Sequence, residues 1–270
     1  MKKKRLRAVW GTGAVLAAAG LMMLSTSCLV DKVVFHPQKG MQAALGDFSG
    51  VELVAITTAD GIRLSAFYLA DTPASPTILF FHGNAGNASH RLDDADRLRA
   101  LGANVLLVDY RGYGLSEGRP TESGVYRDAE AALEYLAEGR HARVADIVVY
   151  GRSLGSAVAV HLAQNRRFAG IVLVSPFTSG RDMAPLVAKP FAGNRFDTYS
   201  KVERLRCPLL VIHGDRDGLV PVEMGRRIFE HAAVEKQLVV IEGGGHNDLI
   251  AINRRRFFSS IKTFLDRVCR

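Results

Sequence analysis

A chain of 270 residues, 48% of them hydrophobic, can bury a sizeable core as one domain. No Pro/Ser-rich linker, internal repeat or low-complexity tract divides its body. The formal charge of +8 invites a polyanion-binding reading, but Lys2, Lys3, Lys4, Arg5 and Arg7 precede every acidic residue. Residues 29–270 carry 30 basic and 27 acidic side chains, a net of +3, which excludes nucleic acid as the expected partner.

The first 28 residues have the layout of a secretion signal. A basic stretch from Lys2 to Arg7 precedes an apolar run from Ala8 to Leu24 and then Ser25-Thr26-Ser27-Cys28. Seventeen helical residues at about 1.5 Å each reach about 25 Å, short of a bilayer core of about 30 Å. Small residues ending in Cys28 resemble the lipobox of bacterial lipoproteins, although Ser25 stands where that motif usually has Leu. The expectation is an exported body held at the bacterial cell envelope through this segment, with an uncleaved N-terminal helix as the alternative. Either way the basic end stays in the cytoplasm. Residues 29–270 are then a single domain. Three cysteines make no disulfide framework, and Cys207 and Cys269 are expected unpaired.

Along the body, Val51–Thr57 and Arg63–Leu69 alternate as a hairpin would, with Asp60-Gly61 as the turn signal. Thr77–Phe81 is a solid apolar run, as expected of a strand covered on both faces. A helix carrying Leu92, Ala95 and Leu98 follows, then a strand over Asn104–Asp109 and a Gly-rich loop over Arg111–Gly118. Val125, Ala129, Ala132, Leu133 and Leu136 form one stripe of a helix from about Ser123 to Glu138. Strands are expected at Ile147–Tyr150, Gly170–Val174, Pro208–His213 and Gln237–Ile241. Helices are expected after Gly155, around Met224–Ala232, and at the end, with Phe257, Ile261, Phe264, Leu265 and Val268 along one face. Such alternation predicts an α/β fold, a mostly parallel central sheet flanked by helices on both faces. Its chemistry should gather at the carboxyl ends of the strands.

Gly151-Arg152-Ser153-Leu154-Gly155 is a G-x-S-x-G set between a predicted strand and a predicted helix, the context of a nucleophile elbow. A turn that sharp strains the serine backbone and admits only small neighbours two positions away. It lifts the Ser153 hydroxyl clear of the sheet and aims the Leu154 N–H at the same space. Serine needs a base, and His246, after the last strand and three glycines, suits that role. The base needs an acid to fix its tautomer. Asp217, after the strand ending at His213, is assigned to it, with Asp215 in reserve. Ser, Asp, His is the chain order of hydrolases on this kind of sheet.

With these residues in place the chain resembles the α/β-hydrolase family, in particular its short-lidded, membrane-associated serine hydrolases, which include esterases and protein depalmitoylases. The matching segments are His82–Asn87 (HGNAGN), Arg111–Gly114 (RGYG), Gly151–Gly155 (GRSLG), Ser175–Ser179 (SPFTS), His213–Pro221 (HGDRDGLVP) and Gly244–His246 (GGH), within roughly residues 50–265. The resemblance implies Asp217, not Asp215, as the triad acid. It also implies Asn84 as the second oxyanion donor beside Leu154.

Other polar residues have plainer readings. His82 and His213 read as strand-end residues that position loops, and Asp248 as a helix cap. His36, His90, His141, His161 and His231 read as surface or packing residues. Arg152 reads as a structural salt-bridge partner, or else as a group favouring acidic leaving groups. Neither Gly-rich loop matches a phosphate-binding pattern and no metal-ligand spacing occurs, so no cofactor or metal is expected. A small lid over about residues 177–207 has Phe177, Met183, Leu186, Val187, Phe191, Phe196 and Tyr199 to line an acyl pocket or simply to pack on the core. The expected activity is hydrolysis of a small-molecule carboxylic ester or thioester through an acyl-enzyme. A serine peptidase of the same fold, or a non-catalytic binding lipoprotein, is the alternative.

Overall fold

The structure is a computed structural model that describes residues 31, 34–42, 48–184, 189 and 193–269. The expected signal segment, Cys28, and the lid residues Leu186, Val187 and Phe191 lie outside the described residues. The chain divides into two compact units, Met1–His36 and Pro37–Arg270. In the first, the Phe35 N–H donates to the Asp31 carbonyl at 3.0 Å.

The second unit is built on an eight-stranded sheet: β1 Val51–Thr57, β2 Arg63–Leu69, β3 Thr77–Phe81, β4 Asn104–Val108, β5 Ile147–Arg152, β6 Gly170–Val174, β7 Leu209–Gly214 and β8 Lys236–Ile241. Their spatial order is β1-β2-β4-β3-β5-β6-β7-β8. The predicted hairpin pairs Val51 with Leu69 and Thr57 with Arg63, and it joins β4 antiparallel through Ala66 and Val108. The other pairs are parallel. Strands β3 and β4, apolar after their first residues Thr77 and Asn104, are buried along their whole lengths, as expected of strands with helices on both sides.

Seven helices are described: α1 Leu92–Arg99, α2 Glu122–Glu134, α3 Leu154–Ala163, α4 Gly180–Met183, α5 Tyr199–Val202, α6 Val222–His231 and α7 Leu249–Val268. On one face, Leu92, Ala95 and Leu98 of α1 and Phe257, Ile261, Phe264 and Leu265 of α7 share a core with Ile78, Phe80, Val148, Val172 and Ile212. Fully burying a Leu, Ile, Val or Phe side chain in this way stabilises the fold by about 1.5–3 kcal/mol. Val268, expected in that row, is only half-buried where the helix runs out. On the other face α3 packs on β5 and against α2.

Two helices differ from the periodicity reading. The helix from Glu122 stops as an α-helix at Glu134 and widens into a π-turn over Tyr135–Gly139, so its last stripe residue, Leu136, is buried from that turn. The terminal helix breaks at Asn253, with φ −148° and ψ 72°. There the Asn253 side chain accepts from the Arg256 N–H at 3.0 Å, recapping the chain for its second stretch.

The 177–207 region holds the short helices α4 and α5. Phe177 and Phe196 are buried and meet edge-to-face at 6.5 Å, and Phe196 also meets Tyr126 of α2 at 6.0 Å. Glu122 accepts from the Phe196 N–H at 2.7 Å. These aromatic residues dock the segment on α2, which is the packing reading of the two.

Candidate active site

β5 delivers the chain into the elbow. Ser153 sits at φ 52° and ψ −117°, left-handed backbone that a non-glycine residue adopts only when its surroundings impose it. Here they do. A Cβ on Gly155 would lie 2.0 Å from the Phe81 carbonyl oxygen at the end of β3, and one on Gly151 would lie 2.4 Å from the Gly155 oxygen. Glycine at both positions lets α3 start in contact with the sheet. The Ser153 N–H donates to the Val174 carbonyl at 2.8 Å, and the Ser156 hydroxyl donates to the Gly151 carbonyl at 2.9 Å. Leu154 opens α3, whose first N–H groups have no intrahelical acceptor.

Three residues from three strand ends meet above this turn. His246 Nε2 lies 3.1 Å from Ser153 Oγ, and His246 Nδ1 lies 2.7 Å from Asp217 Oδ2. With the ring proton on Nδ1, facing the carboxylate, Nε2 is left to accept from the serine hydroxyl. Asp217 is buried, and its Oδ1 accepts from the N–H groups of Leu219 at 2.9 Å and Val220 at 2.7 Å. Burial opposes ionisation of this carboxyl, but hydrogen bonds from His213, His246 and Val220 outweigh it and hold it well below the usual carboxylate range. The sign follows: the group contributes stability above its unfolded pKa of about 3.9 and loses it as pH falls towards the lowered folded value. An acid limb of activity near neutral pH therefore does not belong to Asp217.

The reserve acid does other work. Asp215 Oδ1 accepts from the Gly243 N–H at 2.7 Å, and Asp248 Oδ1 accepts from the Gly245 N–H at 2.6 Å. Both carboxylates brace the glycine run that carries His246. Asp248 stands at the helix start as expected, but its side chain turns back to Gly245 and makes no cap bond. Arg152 has a salt-bridge partner, Asp94 at 3.9 Å, and its Nη2 also donates to the His246 carbonyl at 3.1 Å and to Asn247 Oδ1 at 3.3 Å.

The loop after β3 lies against the elbow, where a Cβ on Gly83 would sit 3.6 Å from that of Ser153. Asn84 follows, its Oδ1 accepting from the Tyr113 hydroxyl at 2.8 Å. The Tyr110 hydroxyl donates to the His82 carbonyl at 2.8 Å, and His82 Nδ1 lies 2.7 Å from the Gly83 carbonyl. Behind them Asp109 accepts from the Ala88 N–H at 2.7 Å and lies 3.4 Å from His82 Nε2. Asp109, Tyr110 and Tyr113 have no individual role in the sequence reading. Their signal is the DYRGYG run at the end of β4, a buried strand closing on polar residues beside the elbow strand's neighbour.

The remaining histidines divide as surface and packing groups: His36, His90 and His141 are exposed, while His161 stacks on Tyr126 at 3.6 Å and His231 on Tyr199 at 4.1 Å. Cys207 and Cys269 are free thiols, and burial pushes Cys207 up to about 12. Among the described residues no group of three or more His, Cys, Asp or Glu could hold a metal ion.

A strained serine between a strand and a helix, with a histidine and a carboxylate in sequence above it, defines a hydrolase-type site on this sheet. Comparison with known proteins supports the fold and the hydrolase class. A family model described as serine aminopeptidase S33 (Hydrolase_4) matches residues 72–199. An uncharacterized Mycobacterium tuberculosis protein is 38% identical over 98% of this chain and 97% of its own length. Human alpha/beta hydrolase domain-containing protein 17B is 33% identical over 74% of this chain and 70% of its own. The Pyrococcus furiosus esterase Pf2001 superposes with a TM-score of 0.70 at 25% identity, covering 87% of this chain and 98% of that one. An Exiguobacterium antarcticum esterase shares the fold at 15% identity, with a TM-score of 0.63 over 79% of this chain and 99% of its own. The chain belongs to the α/β-hydrolase family.

Proposed function

We propose that the protein is a serine hydrolase of carboxylic esters or thioesters that works through an acyl-enzyme. The observation that carries this reading is the His246 ring, placed 3.1 Å from the Ser153 hydroxyl and 2.7 Å from the Asp217 carboxylate. Ser153 Oγ attacks the substrate carbonyl while His246 Nε2 takes the hydroxyl proton. The N–H groups of Leu154 and Asn84 receive the oxyanion. Collapse expels the alcohol or thiol, which leaves with the proton from Nε2, and a water activated by the same nitrogen then hydrolyses the acyl-serine. Asp217 keeps its charge and steadies the imidazolium.

The exposed Leu115 follows the β4 loop beside the Tyr113–Asn84 contact, and the exposed Leu219 follows the triad acid. Both are exposed apolar side chains on loops that carry site residues, and they are our candidate contacts for an acyl chain. The esterases among the structural relatives lend support. The aminopeptidase description of the matching family model favours one second reading, hydrolysis of an N-terminal peptide bond by the same triad. A fluorophosphonate probe tests the class, and Ser153-dependent labelling is expected; no labelling would favour a binding protein. Short-chain esters, thioesters and aminopeptidase substrates assayed side by side choose the bond, with ester or thioester turnover expected to exceed amide turnover. Asp217→Asn should lower kcat by about 10⁴-fold, because the imidazole loses the partner that sets its tautomer; stopped-flow or end-point ester assays read this directly.

The location proposed is the cell envelope, through residues 1–28. Among the described residues no helix is long and apolar enough to cross a membrane. Intact mass of membrane-extracted protein is expected to show loss of residues 1–27 and a diacylglycerol on Cys28. A mass retaining 1–27 without lipid would leave the uncleaved anchor instead.

A further inference from the structure

We propose that His213 is a positioning residue for the triad, holding the Asp217 carboxylate so that one of its oxygens faces His246. This rests on the catalytic reading of Ser153, His246 and Asp217. His213 is the next-to-last residue of β7 and is fully buried, an expensive place for an imidazole unless its polar atoms are met. Its Nε2 lies 2.9 Å from the Val220 carbonyl and 3.4 Å from Asp217 Oδ2. Its Nδ1 is buried without a hydrogen-bond partner, and Gly225 of α6 packs so closely that a Cβ there would come within 2.4 Å of it.

These contacts decide the tautomer. A proton on Nδ1 would be a buried, unmatched donor, and the Nε2 lone pair would face two oxygens. The proton therefore sits on Nε2 and is shared between a carbonyl and the triad carboxylate. That fork closes the Asp217 turn. Val220 gives its N–H to Oδ1 and its carbonyl to His213, so the ring anchors the peptide that orients the carboxylate. Oδ2 then lies between two imidazoles, His246 at 2.7 Å and His213 at 3.4 Å. Among the described residues the titratable groups facing Asp217 are these two histidines. Asp215 and Arg216 on its own loop are exposed, and Glu223 and Arg226 on α6 are exposed and pair with each other at 3.7 Å. How much carboxylate charge reaches His246 is thus set by how much His213 draws off.

The test compares two amides. In His213→Gln the side-chain nitrogen reaches the place of the imidazole Nε2; in His213→Asn it stops near Nδ1 and the fork is lost. His213→Gln should keep kcat within about threefold of wild type, and His213→Asn should lower it about 10–100-fold at unchanged KM, the scale seen when a group orienting a catalytic ligand is removed. The acid limb of the kcat/KM profile should move to higher pH in His213→Asn, because a carboxylate relieved of one donor stabilises the His246 imidazolium more strongly. The far-downfield proton resonance of His246 Nδ1, read without substrate, should survive in His213→Gln and shift in His213→Asn. Should the Asn variant not fold, Gly225→Ala displaces the ring without removing it and is expected to reproduce the kcat and pH changes. Equal losses in both amides, with the pH profile and resonance unmoved, would reduce His213 to packing, as would an Asn or Ala variant that behaves as wild type. Wild-type protein that neither turns over esters nor takes the fluorophosphonate would overturn the catalytic reading as well.

Discussion

Ser153→Ala is expected to lower kcat for an ester substrate by at least about 10⁴-fold while leaving the melting transition within a few degrees of wild type. The size of the loss follows from what the hydroxyl does. It supplies the bond-forming oxygen, held 3.1 Å from His246 Nε2. The small structural effect follows from how the elbow is held. Its strain is imposed by backbone contacts at Gly151 and Gly155 and by the Ser153 N–H bond to Val174, and alanine retains all of these. His246→Ala should cost about as much as Ser153→Ala, and the double variant little more, since the two groups act as one unit.

Arg111→Ala is expected to cost stability rather than chemistry, about 3–5 kcal/mol at pH 8, because it strands a buried carboxylate. Arg111 Nε and N–H donate to Asp128 at 2.7 and 2.8 Å, and its Nη1 and Nη2 donate to Asp60 at 2.8 and 3.0 Å. Asp128 is fully buried on α2, and burial pushes its carboxyl up to about 6 even against those bonds. Without the guanidinium the folded-state pKa rises further above the unfolded value of about 3.9. A group raised in this way favours the folded state most when protonated, so the penalty is full above its folded pKa and shrinks as pH falls. Denaturant midpoints of wild type and variant should therefore converge between pH 8 and pH 5. A gap that widened on acidification would contradict this assignment. Asp60, by contrast, is held well below the usual range by Arg111 and Thr58, and it keeps the β1–β2 turn tied to the loop after β4.

Both effects bear on what the amino-acid order reveals. The elbow is legible because its requirements are local: two glycines, a serine between them, a buried strand before and a small-residue helix after. The histidine and the acid are legible because parallel sheets put every strand end on one rim, so Ser153, Asp217 and His246 meet although the serine and the histidine are 93 residues apart. The choice of Asp217 over Asp215 rests in the sequence on the resemblance; its physical reason is the turn, in which Asp217 receives the Leu219 and Val220 N–H groups. Pairings that depend on two loops meeting leave no periodic trace. The Tyr113–Asn84 bond joins positions 29 apart, and the Arg111–Asp60 pair joins positions 51 apart. The break at Asn253 is hidden for a different reason. Apolar residues on both sides keep a helical spacing, and a single asparagine side chain decides the interruption.

Covalent catalysis itself can be read most directly by acid-quenching the enzyme during turnover of a slow ester and mapping the mass of its peptides. An increment equal to the acyl group on the peptide containing Ser153, absent from Ser153→Ala, is the expected result. Steady ester turnover with no adduct there, or with the acyl group on another residue, would contradict it.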